Sequence, residues 1–329
     1  MLKVIPVEEA VGLPLAHDIT EIVPGKHKGP AFRRGHIVRS EDISKLLDVG
    51  KRHLYVMELE KDELHEEDAA RRLAKAAAGP NLKLTDPVEG RVNFVAEISG
   101  LLKVDADLLY RFNSLGELML ATLQSNRHVR QGDVVAGTRT IPVVVKEELI
   151  KRAESLCKNR PIVRVLPMPP RRVHLIVTGS EVYSGRIKDG FEPVVRKKLG
   201  EMGSELANKQ LAPDDPDQIA QLIHGAQRAG AELILVSGGM SVDPDDKTPE
   251  GIRRSGATIE SHGFPVLPGS MFLMGYLDAT PILGLSGCVL HDPFSAFDIL
   301  LPRLLVGEKI TRAEIMAMGH GGLQKKHDH

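Results

Sequence analysis

The sequence has no tryptophan, and Phe, Tyr and Trp together make up only 4% of its 329 residues. Stacking platforms for single-stranded nucleic acid or sugar rings need aromatic faces, so neither ligand class is expected. An excess of one charge is lacking too: 43 Lys and Arg oppose 44 Asp and Glu, a formal net charge of −1. A balance this close to zero exerts no general pull on nucleic acid. Cysteine is nearly absent. Cys157 and Cys288 lie far apart and form no C-x-x-C, which argues against a disulfide framework or structural zinc and fits a reduced, cytoplasmic protein. Nor is there an apolar run of the about 20 residues a bilayer needs. The most apolar stretch, 263–289, is broken by Pro265, Pro268, Asp278 and Pro281. The opening MLKVIPVEEAVGLPLAHDIT carries acids and prolines where a signal peptide needs continuous apolar residues, so secretion is not expected.

What is present is the composition of a folded chain, 42% apolar and 26% charged, at a length that suits two or three domains, each burying its own core. From residue 1 to about 80, an α+β subdomain is expected. One helix would run from Glu41 to Val49, capped by Ser40 and followed by a strand at His53 to Leu59. Another would run from Glu63 to Ala78, stopped by Gly79-Pro80. Residues 81–168 read as a second α+β subdomain. It holds strands around Gly90 and Gly100, a helix near Asp107 to Leu120 and strands at His128 to Ala136 and Ile141 to Val145. A helix over Lys146 to Cys157 and a strand at Ile162 to Leu166 complete it. The run Pro167-Met168-Pro169-Pro170-Arg171-Arg172 suits neither regular structure and marks the expected boundary. Beyond it the apolar runs VHLIVTG, ELILVSGG and PILGLSG alternate with helices starting at Asp215-Pro216 and Thr248-Pro249, and with a last helix over Asp292 to Leu305. Strands apolar throughout, alternating with helices, imply a three-layer α/β/α domain with a mainly parallel, Rossmann-like sheet over 172–308. Residues 309–329 are expected to be a tail.

In such a sheet ligands bind where loops leave the carboxyl ends of the strands. Four loops fall there: Thr178-Gly179-Ser180-Glu181, Ala212-Pro213-Asp214-Asp215, Ser237-Gly238-Gly239-Met240-Ser241 and Ser286-Gly287-Cys288. Glycine lets the backbone approach a phosphate, and amides at a following helix start favour its charge. Glycine at a strand end is also how any chain turns, so one loop alone carries little. The third is more specific, because it runs on through Asp243, Asp245, Asp246 and Lys247 to Thr248-Pro249. Carboxylates this close repel one another unless solvated or neutralised, as by Mg²⁺ bridging carboxylate and phosphate oxygens. Asp243 and Asp245 are expected to face water, leaving Asp246 as the candidate. Asp215 reads as a helix cap, whereas Asp214 has less structural reason to be acidic. Glu181, placed at the end of a buried strand, must find a partner. Cys288 suits a small buried hydrophobe better than a ligand for a soft metal.

The order TGSEV, SGRIKD, APDDPDQI, ELILVSGGMSVDPDDKTPEGIRRSGA, FPVLPGS, PILGLSG, FDILLPRLL resembles the molybdenum-cofactor biosynthesis domain. Molybdopterin molybdenumtransferases, molybdopterin adenylyltransferases and the competence-damage-inducible protein family share that domain. The resemblance covers about residues 172 to 306. It implies a site for molybdopterin or adenylylated molybdopterin across these loops, with Glu181, Asp214 and Asp246 in binding and Mg²⁺-dependent catalysis and Asp214 and Asp246 on the metal. Thr178, Gly179, Ser180, Ser237, Gly238, Gly239, Ser241, Lys247, Ser286 and Gly287 would line the ligand. Two departures stand out. Relatives carry Asp-Ser-Asn or Asp-Thr-Asn where this chain has Asp189-Gly190-Phe191, and Leu-Pro-Gly-Asn-Pro where it has Leu285-Ser286-Gly287-Cys288-Val289. The extra C-terminal domain of the molybdenumtransferases is not expected here.

The resulting expectation is a molybdopterin-binding protein of molybdenum-cofactor assembly that promotes molybdate insertion, self-associates and meets other proteins of that pathway. Two alternatives stand beside it: a non-catalytic pterin carrier or sensor, and a nucleotide-cleaving enzyme of the competence-damage type. In the N-terminal half, Lys26, Lys28, Arg33, Arg34 and Arg39 cluster beside His27 and His36. That cluster reads as a solvated face before it reads as an oxyanion site. The segment from Pro30 to Leu59 also resembles, more weakly, the lead segment of molybdopterin-binding proteins related to the molybdenumtransferases.

Overall fold

The computed structural model of the chain describes residues 2–23, 27–57, 59–241 and 243–324. It divides into two compact units, one made of 1–98, 103–125 and 131–165, the other of 99–102, 126–130 and 166–329.

The first unit is α+β. Strands Leu2–Pro6 and His53–Met57 pair antiparallel, as do Ile19–Val23 and His27–Phe32. Val7, Leu15, Ile19, Val38, Leu46 and Leu54 form their small core. Helix Asp42–Asp48 begins one residue later than expected, and without a Ser40 cap. Instead Asp42 accepts the Arg39 amide at 2.9 Å. Residues Glu63–His65 form a short strand paired with Val144–Lys146, so the next helix spans Glu66–Ala77. The helix expected near Asp107 to Leu120 stops at Asn113, and Leu118–Thr122 instead joins a four-stranded antiparallel sheet through Val134–Thr140. Pairing of Leu118 and Leu120, both buried, outweighs their helical propensity.

The second unit carries a six-stranded sheet. Its strands are β1 (Arg172–Thr178), β2 (Glu205–Ala212), β3 (Leu233–Ser237), β4 (Thr258–His262), β5 (Leu273–Leu277) and β6 (Thr280–Leu285), in the order β2-β1-β3-β6-β5-β4. The pairings β2/β1, β1/β3 and β3/β6 are parallel, and β5 and β4 extend the sheet antiparallel. Successive residues of a strand face opposite ways. Accordingly Val173, Leu175 and Val177 join Leu233 and Leu235 in one core with helices α1 (Phe191–Glu201) and α4 (Ala296–Leu305). Ile176, Ile234 and Val236 join another with α2 (Pro216–Arg228) and α3 (Thr248–Arg254). This is the three-layer α/β/α arrangement that continuous apolar strands imply.

Three expectations are corrected. The strands are not apolar throughout, because β2 is a sheet edge and much of its ELANKQLA is exposed. The last helix starts at Ala296, where Ser295 and Asp298 form a reciprocal capping box. Beyond residue 308 the chain continues into the core. Ile310 and Ile315 are fully buried, and helix α5 (Arg312–Ala317) is capped by Thr311. The buried Arg303 of α4 donates to Glu308 at 2.7 Å and also pairs with Glu314 of α5. Burying an isoleucine contributes about 1.5–3 kcal/mol. A fragment of residues 170–324 is therefore expected to melt cooperatively, and one ending at 309 to melt lower by about 8 °C or more in calorimetry. Equal melting temperatures would show that α5 is an accessory to the fold.

Candidate functional site

Parallel register gathers the loops. Thr178 stands opposite Ala212 on one side, its neighbour Val177 opposite Ser237 on the other, and Ser237 opposite Leu285. All four loops therefore leave the same edge of the sheet.

The first and third loops are joined through buried hydroxyls. Thr178 Oγ1 donates to the Ser237 carbonyl at 3.0 Å and lies 2.7 Å from Thr248 Oγ1. Thr178 has one hydroxyl proton and has spent it, so Thr248 is the donor of the second bond. Both residues are buried, Thr248 completely. This relay pins both ends of the 237–248 loop to β1. The hydroxyl of Ser237, also fully buried, meets no partner among the described residues.

Within that frame Gly238 and Gly239 have positive φ, 91° and 52°, a region that side chains other than glycine disfavour. Their surroundings differ. A β-carbon on Gly238 would collide with the Thr178 carbonyl and stand 2.8 Å from its hydroxyl, so this glycine is required by the packing of the loop on β1. A β-carbon on Gly239 would stand 3.0 Å from Thr248 Oγ1 and 3.6 Å from both Asp214 Oδ1 and the Lys247 amide nitrogen. Gly239 thus faces the place where the second and third loops meet.

The acids divide into loop ties and candidate ligands. Asp214 Oδ2 accepts the Ser180 amide at 2.7 Å, and the Asp214 amide points back at Ser180 Oγ at 3.4 Å. Asp246 Oδ2 accepts the Ser241 amide at 2.7 Å. Each of these carboxylates thus holds a loop with one oxygen, and no described residue donates to the other. Asp215 caps α2 by accepting the amides of Asp217 and Gln218, and these donors, Gln218 first, hold its carboxyl below the usual range. Asp243 accepts the Asp245 amide at 3.1 Å in a local turn. Glu181 is not on the strand. It lies exposed in the short helix Ser180–Tyr183, its carboxylate curled back over Gly179. Lys247 is half-buried just before α3, whereas Ser286 and Gly287 follow β6, with open space beside Gly287. Among the described residues no group of three or more His, Cys, Asp or Glu side chains forms a metal cage.

At the two departures the chain does something else. Asp189 accepts the Phe191 amide at 2.7 Å and pairs with Lys209 at 2.9 Å, while Phe191 packs into the core. Cys288 is half-buried against the same core. Burial raises its thiol, offset in part by the Ser286 hydroxyl 3.2 Å away. Met240, which the sequence places in the third loop without assigning it a role, is buried against Gly284 of β6. In the N-terminal cluster, Arg34 pairs with Glu67 at 3.0 Å, His36 with Asp42 at 2.7 Å and Arg39 with Glu41 at 3.2 Å, the behaviour of a structural face. Lys26 of that cluster lies outside the described residues.

Residues 174–305 match the family model of the probable molybdopterin binding domain. That segment is a member of this domain family. Residues 4–58 match a domain of unknown function. A CinA-like protein of Mycolicibacterium vanbaalenii is 30% identical over 137 residues, 37% of this chain and 32% of that protein. Another, from Mycobacterium avium, is 36% identical over 83 residues, 25% of this chain and 19% of that one. The chain thus spans about a fifth to a third of the curated relatives it matches. Among solved structures, the molybdopterin biosynthesis enzyme MoaB from Thermus thermophilus is 25% identical, with 42% of this chain and 98% of that chain covered and a TM-score of 0.36. The molybdopterin biosynthesis MoeA protein from Pyrococcus horikosii is 16% identical, with 74% and 79% covered and a TM-score of 0.35. In the matched domain Thr248→Val removes the donor of the hydroxyl relay and is expected to cost about 1 kcal/mol in denaturant unfolding. Thr248→Ser should restore it. Equal stability of the valine and serine variants would deny the relay.

Proposed function

We propose that the C-terminal domain binds molybdopterin or its adenylylated form, with the ligand phosphate over Gly239, and that the protein serves molybdenum-cofactor biosynthesis. The observation that carries this reading is the space at Gly239, bounded by Asp214, Thr248 and the Lys247 amide, which a side chain would fill. A phosphate fits beside backbone donors and a lysine at the start of a helix. The Ser237 hydroxyl, unpartnered among the described residues, supports a polar ligand at this edge, since a buried hydroxyl left unmatched costs about 1–3 kcal/mol.

The donor set also fits Mg²⁺. Asp214 Oδ1 and Asp246 Oδ1 are hard oxygen ligands, and Mg²⁺ is commonly held by one or two carboxylates plus phosphate oxygens, without a full protein cage. When bound there it would neutralise charge between carboxylate and phosphate. Asp214 and Asp246 hold their loops, Lys247 supplies positive charge, and Glu181 orients the pterin phosphate or an incoming oxyanion. Catalysis on this reading is molybdate insertion, in the cytoplasm, by a self-associating protein.

A second reading is a carrier that binds without turnover. It is favoured by Phe191, whose side chain is committed to the core where relatives carry an asparagine. Incubation with adenylylated molybdopterin, Mg²⁺ and molybdate separates the readings. AMP release with metal insertion supports the enzyme, and retained pterin alone supports the carrier. Cleavage of other nucleotides without pterin retention supports the competence-damage type. Asp246→Asn is expected to weaken Mg²⁺-dependent binding at least about tenfold, a change worth 1.4 kcal/mol, whereas Asp243→Asn keeps its local turn and binds normally. Equal losses in calorimetric titration would mean that the acidic run acts only as a field of charge.

A further inference from the structure

A cavity of about 650 Å³ opens in the N-terminal unit at the ends of helices Glu66–Ala77 and Glu147–Cys157. That volume lies in the range of small-molecule sites. Its apolar lining is Ala76, Ala78, Cys157 and Pro161. Burial pushes the Cys157 thiol up to about 11, so the sulfur there is neutral and does not repel an anion.

The polar lining is almost entirely made of donors. Arg72, Lys75, Lys158, Asn159 and Arg160 face a single carboxylate, Glu154. That carboxylate is spent, because its two oxygens accept from Arg72 at 2.8 and 2.7 Å. Arg72 is held further by Glu147 at 2.9 Å. Arg160 is steadied through Nε by Asp105, and a guanidinium carries four more N–H groups on its terminal nitrogens. Lys75 and Lys158 are exposed and form no ion pair among the described residues. Lysines at helix C-termini also complement the helix dipoles. That explains the two lysines, but not a cavity in which the one acidic side chain is consumed while several donors remain.

We propose that this cavity binds a phosphorylated small molecule, its phosphate held by Lys75, Lys158 and Arg160 and its organic part lying on Ala76, Cys157 and Pro161. The site is independent of the one over Gly239. The test is titration of the full-length protein with AMP, adenosine and inorganic phosphate, followed by calorimetry and by amide NMR shifts. AMP is expected to bind more tightly than phosphate or adenosine, and to shift the amides of Gly79, Lys158 and Asn159. Lys75→Gln combined with Lys158→Gln should weaken this binding at least tenfold. Lys151→Gln, a change at a surface lysine outside the cavity, should leave it unchanged. Both kinds of variant alter exposed side chains and keep the fold. AMP shifts confined to residues 178–181 and 237–248, or unchanged affinity in the double variant, would overturn the proposal.

Discussion

A parallel sheet buried on both faces has nowhere along its strands to put a polar side chain without cost. In this protein the two cores on either side of β1 and β3 take up every residue from Leu233 to Val236, alternately. Chemistry is thereby confined to one edge, where the strands give way to loops. Once the register sets Val177 beside Ser237 and Ser237 beside Leu285, the meeting of those loops follows without any further interaction.

What the loops do need is fixing, and the polar groups of the site supply it. The Thr248–Thr178–Ser237 relay, the Asp214 bond to the Ser180 amide and the Asp246 bond to the Ser241 amide are all short-range contacts between residues distant in sequence or across a tight loop. The same carboxylates thus hold the loops in place through one oxygen each, and no described residue donates to the other. Preorganisation of this kind lets a ligand bind without first ordering its site.

The C-terminal architecture was legible because its signals are local and repeat: apolar runs ending in glycine, Asp215 before Pro216, Thr248 before Pro249. The parts that escaped depend on partners remote in the chain. Strands β4 and β5 were hidden, since IESH is half polar and LMGYL lies within a longer apolar stretch. Each acquires its identity only by antiparallel pairing. Helix α5 looked like tail because Ile310 and Ile315 are isolated apolar residues until α4 offers them a core. In the N-terminal unit ELML was absorbed into a helix that the sheet claims. At the site, the loops and their acids were readable from residue types. Thr248 was not, since its role rests on a hydroxyl 70 residues away. Glu181 was placed on a strand because nothing local announces a single helical turn after Gly179.

The two adjacent glycines of the third loop answer to different masters. Gly238 is imposed by the backbone of β1, whereas Gly239 borders the space between Asp214, Lys247 and Thr248. On the proposed reading, a lineage that gave up its ligand while keeping its fold would be released from the second requirement and still bound by the first. In such descendants position 239 would drift towards asparagine and other residues that tolerate a left-handed backbone, while position 238 stayed glycine.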